Sequence, residues 1–273
     1  MSDLDVAAVG ALLLAIGCAD LAASGLSGIV TSSRRALFGL LLGLAVGLVA
    51  GYASGVGRPP WLAILVTVSV LTGWLFSRVE NGWLFNRVKA GLFSQETKND
   101  ELAVQTCARL SLIAHCLLLL VTLVLADRWS SSEPSWLHDR LQESEVFGGV
   151  ETGQFMLLAG LVFYLSATSN AIVRQALNLI TSDWTRNAQR LKAGRVIGVI
   201  ERLFILGFIV AGQATGAGLV VSAKAVLRLP EMTRRIDAEQ GGVSVEPFSE
   251  YVLVGSMISW LVAFAAGALA ARI

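Results

Sequence analysis

Long apolar runs are the feature that most limits what this chain can fold into. They lie near Leu4–Gly25, Ala36–Val56, Pro60–Phe76, Leu102–Ala126, Gly153–Ile172, Val196–Gly212, Thr215–Leu227 and Tyr251–Ala271. A run of about 20 apolar residues matches a hydrocarbon core of about 30 Å. In lipid every backbone N–H and C=O must pair within its own segment, so such runs become helices. The pattern predicts an all-α, polytopic transmembrane helix bundle of about eight spans. The seventh run is short, since about 13 residues at 1.5 Å each reach only about 20 Å. It either continues past Leu227, with Lys224 and Arg228 snorkelling, or is re-entrant.

Composition agrees. Charged residues are 15% and hydrophobic residues 55% of the chain, and the mean hydropathy is +0.67. A soluble domain carries about a quarter charged residues. A net charge of +1 provides no global field for nucleic acid. Cys18, Cys107 and Cys116 sit inside apolar runs without a C-x-x-C pair and read as packing residues. The start, Met1-Ser2-Asp3-Leu4-Asp5, is acidic and precedes a long apolar stretch, unlike a secretory signal, so the first segment reads as a retained helix. Neither end carries a lipidation motif.

Lys and Arg set the expected orientation. One alternating set of loops holds Arg34 and Arg35; Arg78, Arg87, Lys89 and Lys98; Arg174, Arg186, Arg190, Lys192 and Arg195; and Arg228, Arg234 and Arg235. The other set holds only Arg58, Arg128, Arg140 and Arg272. The first set is therefore expected in the cytoplasm, with both termini outside a plasma (inner) membrane. The regions expected are a four-helix part (1–126), an acidic outer loop (127–152) and a second four-helix part (153–273).

Val173, Leu177, Ile180, Trp184, Ala188 and Leu191 recur at helical spacing among Arg174, Gln175, Asn178, Arg186 and Arg190. This predicts a basic interfacial amphipathic helix on anionic inner-leaflet lipids; a plain connector is the alternative. A shorter stripe is Leu84, Val88 and Leu92. Gly39, Gly43, Gly47, Gly51 and Gly55 lie four apart on one helix face. Such a face lets another backbone approach closely, either within one protomer or in a homo-oligomer.

Charges within spans are costly and default to functional hypotheses. Asp20, Arg109, His115, Glu201, Arg202 and Lys224 qualify, and Asp20, Glu201, Arg202 and Lys224 fall in the expected inner half with Ser166, Thr168, Ser169 and Asn170. A buried carboxylate needs a partner, and Glu201 with Lys224 is the first choice. Gly25-Leu26-Ser27-Gly28 fits the G-x-S-G pattern of rhomboid proteases, but its serine needs a histidine base, and His115 and His138 are the two histidines. Cys107, His115 and Cys116 lack standard metal-ligand spacing. No phosphate-binding loop or H-E-x-x-H motif is present.

Several blocks carry a family resemblance. They are Ser169-Asn170-Ala171-Ile172-Val173-Arg174, Gly194-Arg195-Val196-Ile197-Gly198-Val199-Ile200-Glu201-Arg202-Leu203, Gly212-Gln213, Ala223-Lys224 with Arg228, and Glu250-Tyr251-Val252-Leu253-Val254-Gly255-Ser256 with Ser259. From about Ser169 onward the chain resembles a family of bacterial membrane proteins of unassigned function. The N-terminal half departs from it. Asp20-Leu21 stands where members have a histidine followed by Asp-Phe, and Leu112-Ile113-Ala114 replaces an Asp-Gln pair before His115. The resemblance implies that Asn170, Arg174, Glu201, Arg202 and Lys224 form one recurring cluster; it supplies no reaction.

The sequence thus predicts an inner-side polar pocket built from Asp20, His115, Asn170, Arg174, Glu201, Arg202 and Lys224. Its expected role is to conduct or transport a small solute or ion, or to act as a membrane subunit, without cofactor or metal. The alternative is a structural or signalling component that recruits a partner through its basic cytoplasmic loops. An intramembrane enzyme ranks third.

Overall fold

A computed structural model describes residues 3–27, 32–55, 60–76, 100–128, 135–179, 192–239 and 246–271. Among them all regular structure is helical: α1 (Asp3–Ser24), α2 (Ser33–Ala53), α3 (Pro60–Phe76), α4 (Asp100–Arg128), α5 (Trp136–Gln142), α6 (Thr152–Asn178), α7 (Lys192–Val210), α8 (Ala214–Glu239) and α9 (Glu246–Ala270). Four stretches, Val6–Ser24, Ser33–Ala53, Thr152–Asn178 and Leu253–Ala270, are long and apolar enough to cross a membrane. The apolar parts of α3, α4 and α8 are shorter: Val66–Leu75, Ala108–Val124 and Ala214–Val226. α7 carries Lys192, Arg195, Glu201 and Arg202. α8 runs unbroken past Leu227 to Glu239, the first of the two courses open to the seventh run.

The chain forms two compact units, Met1–Asp183 and Trp184–Ile273. The expected division at the acidic segment 127–152 therefore differs from the observed one. α6 belongs with the first unit because its small residues fit α1. Gly10 and Gly160 meet backbone to backbone: a Cβ on either would land on main-chain atoms of the other helix. A Cβ on Gly17 would lie 2.6 Å from the Phe163 carbonyl carbon. Only hydrogen side chains permit this approach.

The opposite flank of α1 carries Ala7, Ala11, Ala15, Ala19 and Ala23, four apart and all buried. Facing them are the α2 glycines. A Cβ on Gly39 would stand 2.6 Å from the Ala19 carbonyl oxygen, and one on Gly43 would stand 2.9 Å from the Ala19 Cβ. One on Gly47 would stand 2.8 Å from the Thr67 Cγ2 of α3. Gly51 is also buried. The glycine face is thus occupied within one protomer. Gly55 is a correction to the expected stripe: the helix ends at Ala53, and Gly55 takes φ +76° in the terminating turn, a left-handed conformation that favours glycine.

Two helices of the first unit turn small or polar residues inward and large apolar ones outward. α2 buries its glycines and exposes Leu37, Phe38, Leu41, Val49 and Tyr52. α4 buries Ser111, His115, Leu118 and Thr122 at helical spacing and exposes Leu110, Ile113, Leu117, Leu120 and Val124. Large apolar side chains outside and small or polar ones inside is the arrangement lipid selects. Hydroxyls within the runs return to their own helix, as Thr122 donating to Leu118 O at 2.7 Å and Ser166 to Val162 O at 2.7 Å.

The expected interfacial helix requires a second correction. Residues 173–178 continue α6, burying Gln175 and Asn178, which had been assigned to a solvated face. The Gln175 amide is met by the Ser111 hydroxyl of α4. Residues 180–191 lie outside the described residues, as do the Leu84–Val88–Leu92 stripe and Arg78, Arg87, Lys89, Lys98, Arg186 and Arg190.

In the second unit, α7 packs on α8 and α9 around Ile205, Ala217 and Ala263. The α7–α8 hairpin closes on Gly212 at φ +72°, with the Gln213 N–H donating to Phe208 O at 2.7 Å and the Gly212 N–H to Ile209 O at 3.0 Å. This double bond pattern is a Schellman stop, which needs glycine at the left-handed position. The hairpin puts Glu201 and Lys224 at matching heights.

Candidate functional site

The main polar cluster of the first unit converges on one irregular turn of α6. Tyr164–Thr168 forms a π-helical turn between α-helical Thr152–Phe163 and Ser169–Asn178. Single π turns are frequent at functional positions because the extra residue re-aims side chains without breaking the helix. Here the turn presents Thr168 to α1 and Tyr164 to α4.

Asp20 of α1 is 1% exposed. Its Oδ1 accepts from the Trp74 indole N–H of α3 at 2.8 Å. Its Oδ2 accepts from the Thr168 hydroxyl at 2.5 Å. A carboxyl in this setting is tolerable only because donors replace the lost water. One helical turn on, Ser24 Oγ donates to the Asp20 carbonyl at 2.8 Å, and Asn170 Nδ2 reaches Leu26 O at 3.1 Å. The Asn170 bond ties the 3-10 turn Gly25–Ser27 to α6.

Two further pairs join α4 and α6. His115 Nε2 and the Tyr164 hydroxyl are hydrogen-bonded at 3.1 Å, with the rings edge to face. Gln175 Nε2 donates to Ser111 Oγ at 2.7 Å. Arg174 is half-buried, whereas Arg109 is exposed on α4. Cys116 is exposed beside buried His115, so the two side chains turn to different sides. The Cys107 side chain lies outside the described residues.

The second unit has its own cluster. Glu201 and Lys224 form an ion pair between α7 and α8, with 12% and 13% of their side chains exposed. The Lys224 ammonium lies 5.5 Å from the Trp260 ring centroid, a cation–π distance. Arg202, 2% exposed, donates from Nη1 to Ser259 Oγ at 2.8 Å.

Of the residues expected in one pocket, Asp20, His115, Asn170 and Arg174 therefore belong to the first unit, and Glu201, Arg202 and Lys224 to the second. Trp74, Tyr164, Ser111, Gln175, Ser259 and Trp260 were not expected as partners. Spacing offered a signal for two of them, since Tyr164 and Gln175 fall near the helix face of Thr168. No family model, curated protein or solved structure matches the chain.

Proposed function

We propose that the chain is an eight-span plasma-membrane protein that moves a small ion or solute, with the Asp20 cluster of the first unit as its working site. The single observation that carries this reading is Asp20 itself. It is an ionisable group on the most enclosed span, held by side chains from two other helices at a π turn. Ionisable residues inside spans are expensive and default to substrate or ion pathways. A purely structural clamp could be built from Ser, Thr or Asn at lower desolvation cost. On this reading both termini lie outside, and the Asp20 cluster lies in the inner half of the bilayer. The Glu201–Lys224 and Arg202–Ser259 contacts then hold the second unit together.

The test is flux into proteoliposomes carrying the purified full chain, surveyed with Na⁺, K⁺, Cl⁻, H⁺ and small neutral solutes. The expected result is at least one flux above protein-free vesicles that falls to background in Asp20→Asn while that variant still purifies as the wild type does. Flux that is unaffected by Asp20→Asn, or none for any probe, would sink the proposal.

A further inference from the structure

Resting on that transport reading, we propose that the cargo is the proton, carried by the Asp20 carboxyl and relayed to it by the Thr168 hydroxyl. The two oxygens of Asp20 are met by different donors. The Trp74 indole has an N–H and no acceptor, so it can hold Oδ1 but cannot pass a proton on. The Thr168 hydroxyl is both donor and acceptor, so Oδ2 is the oxygen open to relay.

In the step, a hydronium ion gives a proton to a lone pair of the Thr168 oxygen and becomes water, while the hydroxyl's own proton passes to Asp20 Oδ2. One O–H bond forms and one breaks at Thr168, and one O–H forms at Asp20. Release runs the same exchange backwards, Asp20 Oδ2 returning a proton to the Thr168 oxygen. That oxygen gives one up to a water molecule on the opposite side once it faces that side, and no electrons are transferred.

The geometry disfavours larger cargo. A dehydrated metal cation needs about six oxygen ligands, and here donor hydrogens point at the carboxyl oxygens. Near Asp20 the helices touch closely, with Gly39 against Ala19 and Ala23 and Gly17 against the Phe163 backbone. A proton needs only one lone pair at a time. His115 and Tyr164, the latter the first residue of the same π turn, form a second hydrogen-bonded pair.

The other charged or titratable groups with described side chains on α1 and the helices packed against it are Cys18 on α1, Arg34, Arg35 and Tyr52 on α2, Arg109 and Cys116 on α4, and Arg174 on α6. Arg34, Arg35, Tyr52, Arg109 and Cys116 are exposed.

The experiment uses the full chain in liposomes loaded with a pH-reporting dye, with K⁺ and valinomycin clamping the potential while an external pH step is imposed. Wild type should relax the internal pH faster than protein-free vesicles. Thr168→Val should lose most of that gain, Thr168→Ser should recover it, and Asp20→Asn should fall to background. Na⁺ and Cl⁻ flux in separate vesicles should stay at background. Flux of Na⁺, Cl⁻ or a neutral solute without pH relaxation would overturn the proton assignment and leave the transport reading standing. Absence of every flux would overturn both. If Thr168→Val does not fold, pH relaxation by folded Asp20→Asn at the wild-type rate overturns the inference by itself.

Discussion

Replacing Gly160 with leucine should abolish assembly of the first unit. The reason is the partner it meets. A Cβ there would fall on the Gly10 backbone, and a Cβ on Gly10 would fall on the main chain at Met156 and Leu157. Side chains can rotate away from an intruder, but helix backbones can only separate. Overpacking usually costs about 1–3 kcal/mol when neighbours can shift; here α1 must move away from α6, which also breaks the Thr168–Asp20 contact. Against a total stability of about 5–15 kcal/mol this is a large fraction. Gly160→Leu and Gly10→Leu should therefore yield aggregated or degraded protein. Gly47→Leu should follow with a smaller loss, because its nearest neighbours are the side chains of Thr67 and Ala15. Gly207→Ala and Gly218→Ala meet nothing within 4 Å and should be neutral. Monodisperse elution after detergent extraction gives the readout, and equal tolerance at Gly160 and Gly207 would remove the close-packing account.

Glu201→Gln and Lys224→Met should each destabilise the second unit, and the double variant should lose less than the sum. Each single change leaves one charge among apolar helices without its ion-pair partner. Breaking a fully buried pair costs about 3–5 kcal/mol. Polar contacts between membrane helices run lower, about 1–2 kcal/mol, because the separated helices find other partners. The expected coupling is therefore about 1–2 kcal/mol. Lys224→Met should lose slightly more than Glu201→Gln, since it also removes the ammonium above Trp260. Thermal melting in detergent of the four proteins measures the cycle. Strictly additive losses would mean that the two side chains do not interact.

The helical class was legible because lipid leaves few alternatives to a helix for long apolar runs. The partner of the α2 glycines was also present in the sequence. Ala7, Ala11, Ala15, Ala19 and Ala23 keep the same four-residue step, and two small-residue stripes pair naturally. Gly55 misled because spacing alone does not say where a helix stops, and the same residue type serves both a close contact and a left-handed turn. Asp20 and the Glu201–Lys224 pair stood out because charge within a span is rare. Trp74 did not, since an indole in an apolar run usually contributes bulk, and its N–H matters only once α3 lies beside α1. The π turn was illegible. It depends on which side chains α1 and α4 offer to α6, information distributed over distant parts of the chain. Gln175 and Asn178 show the same limit. Polar residues beside arginines look solvated until partners such as Ser111 are brought against them.

The most direct test of the central claim, an eight-span membrane protein with its Asp20 cluster toward the cytoplasm, is cysteine accessibility in intact cells. Single cysteines at Glu143, Gln213 and Arg186, on a background lacking Cys18, Cys107 and Cys116, would be probed with a membrane-impermeant thiol reagent. The account predicts labelling at positions 143 and 213 and protection at 186 until the membrane is opened. Labelling at 186 with protection at 143 would invert the orientation, and protection at 213 would mean that α7 and α8 do not both cross.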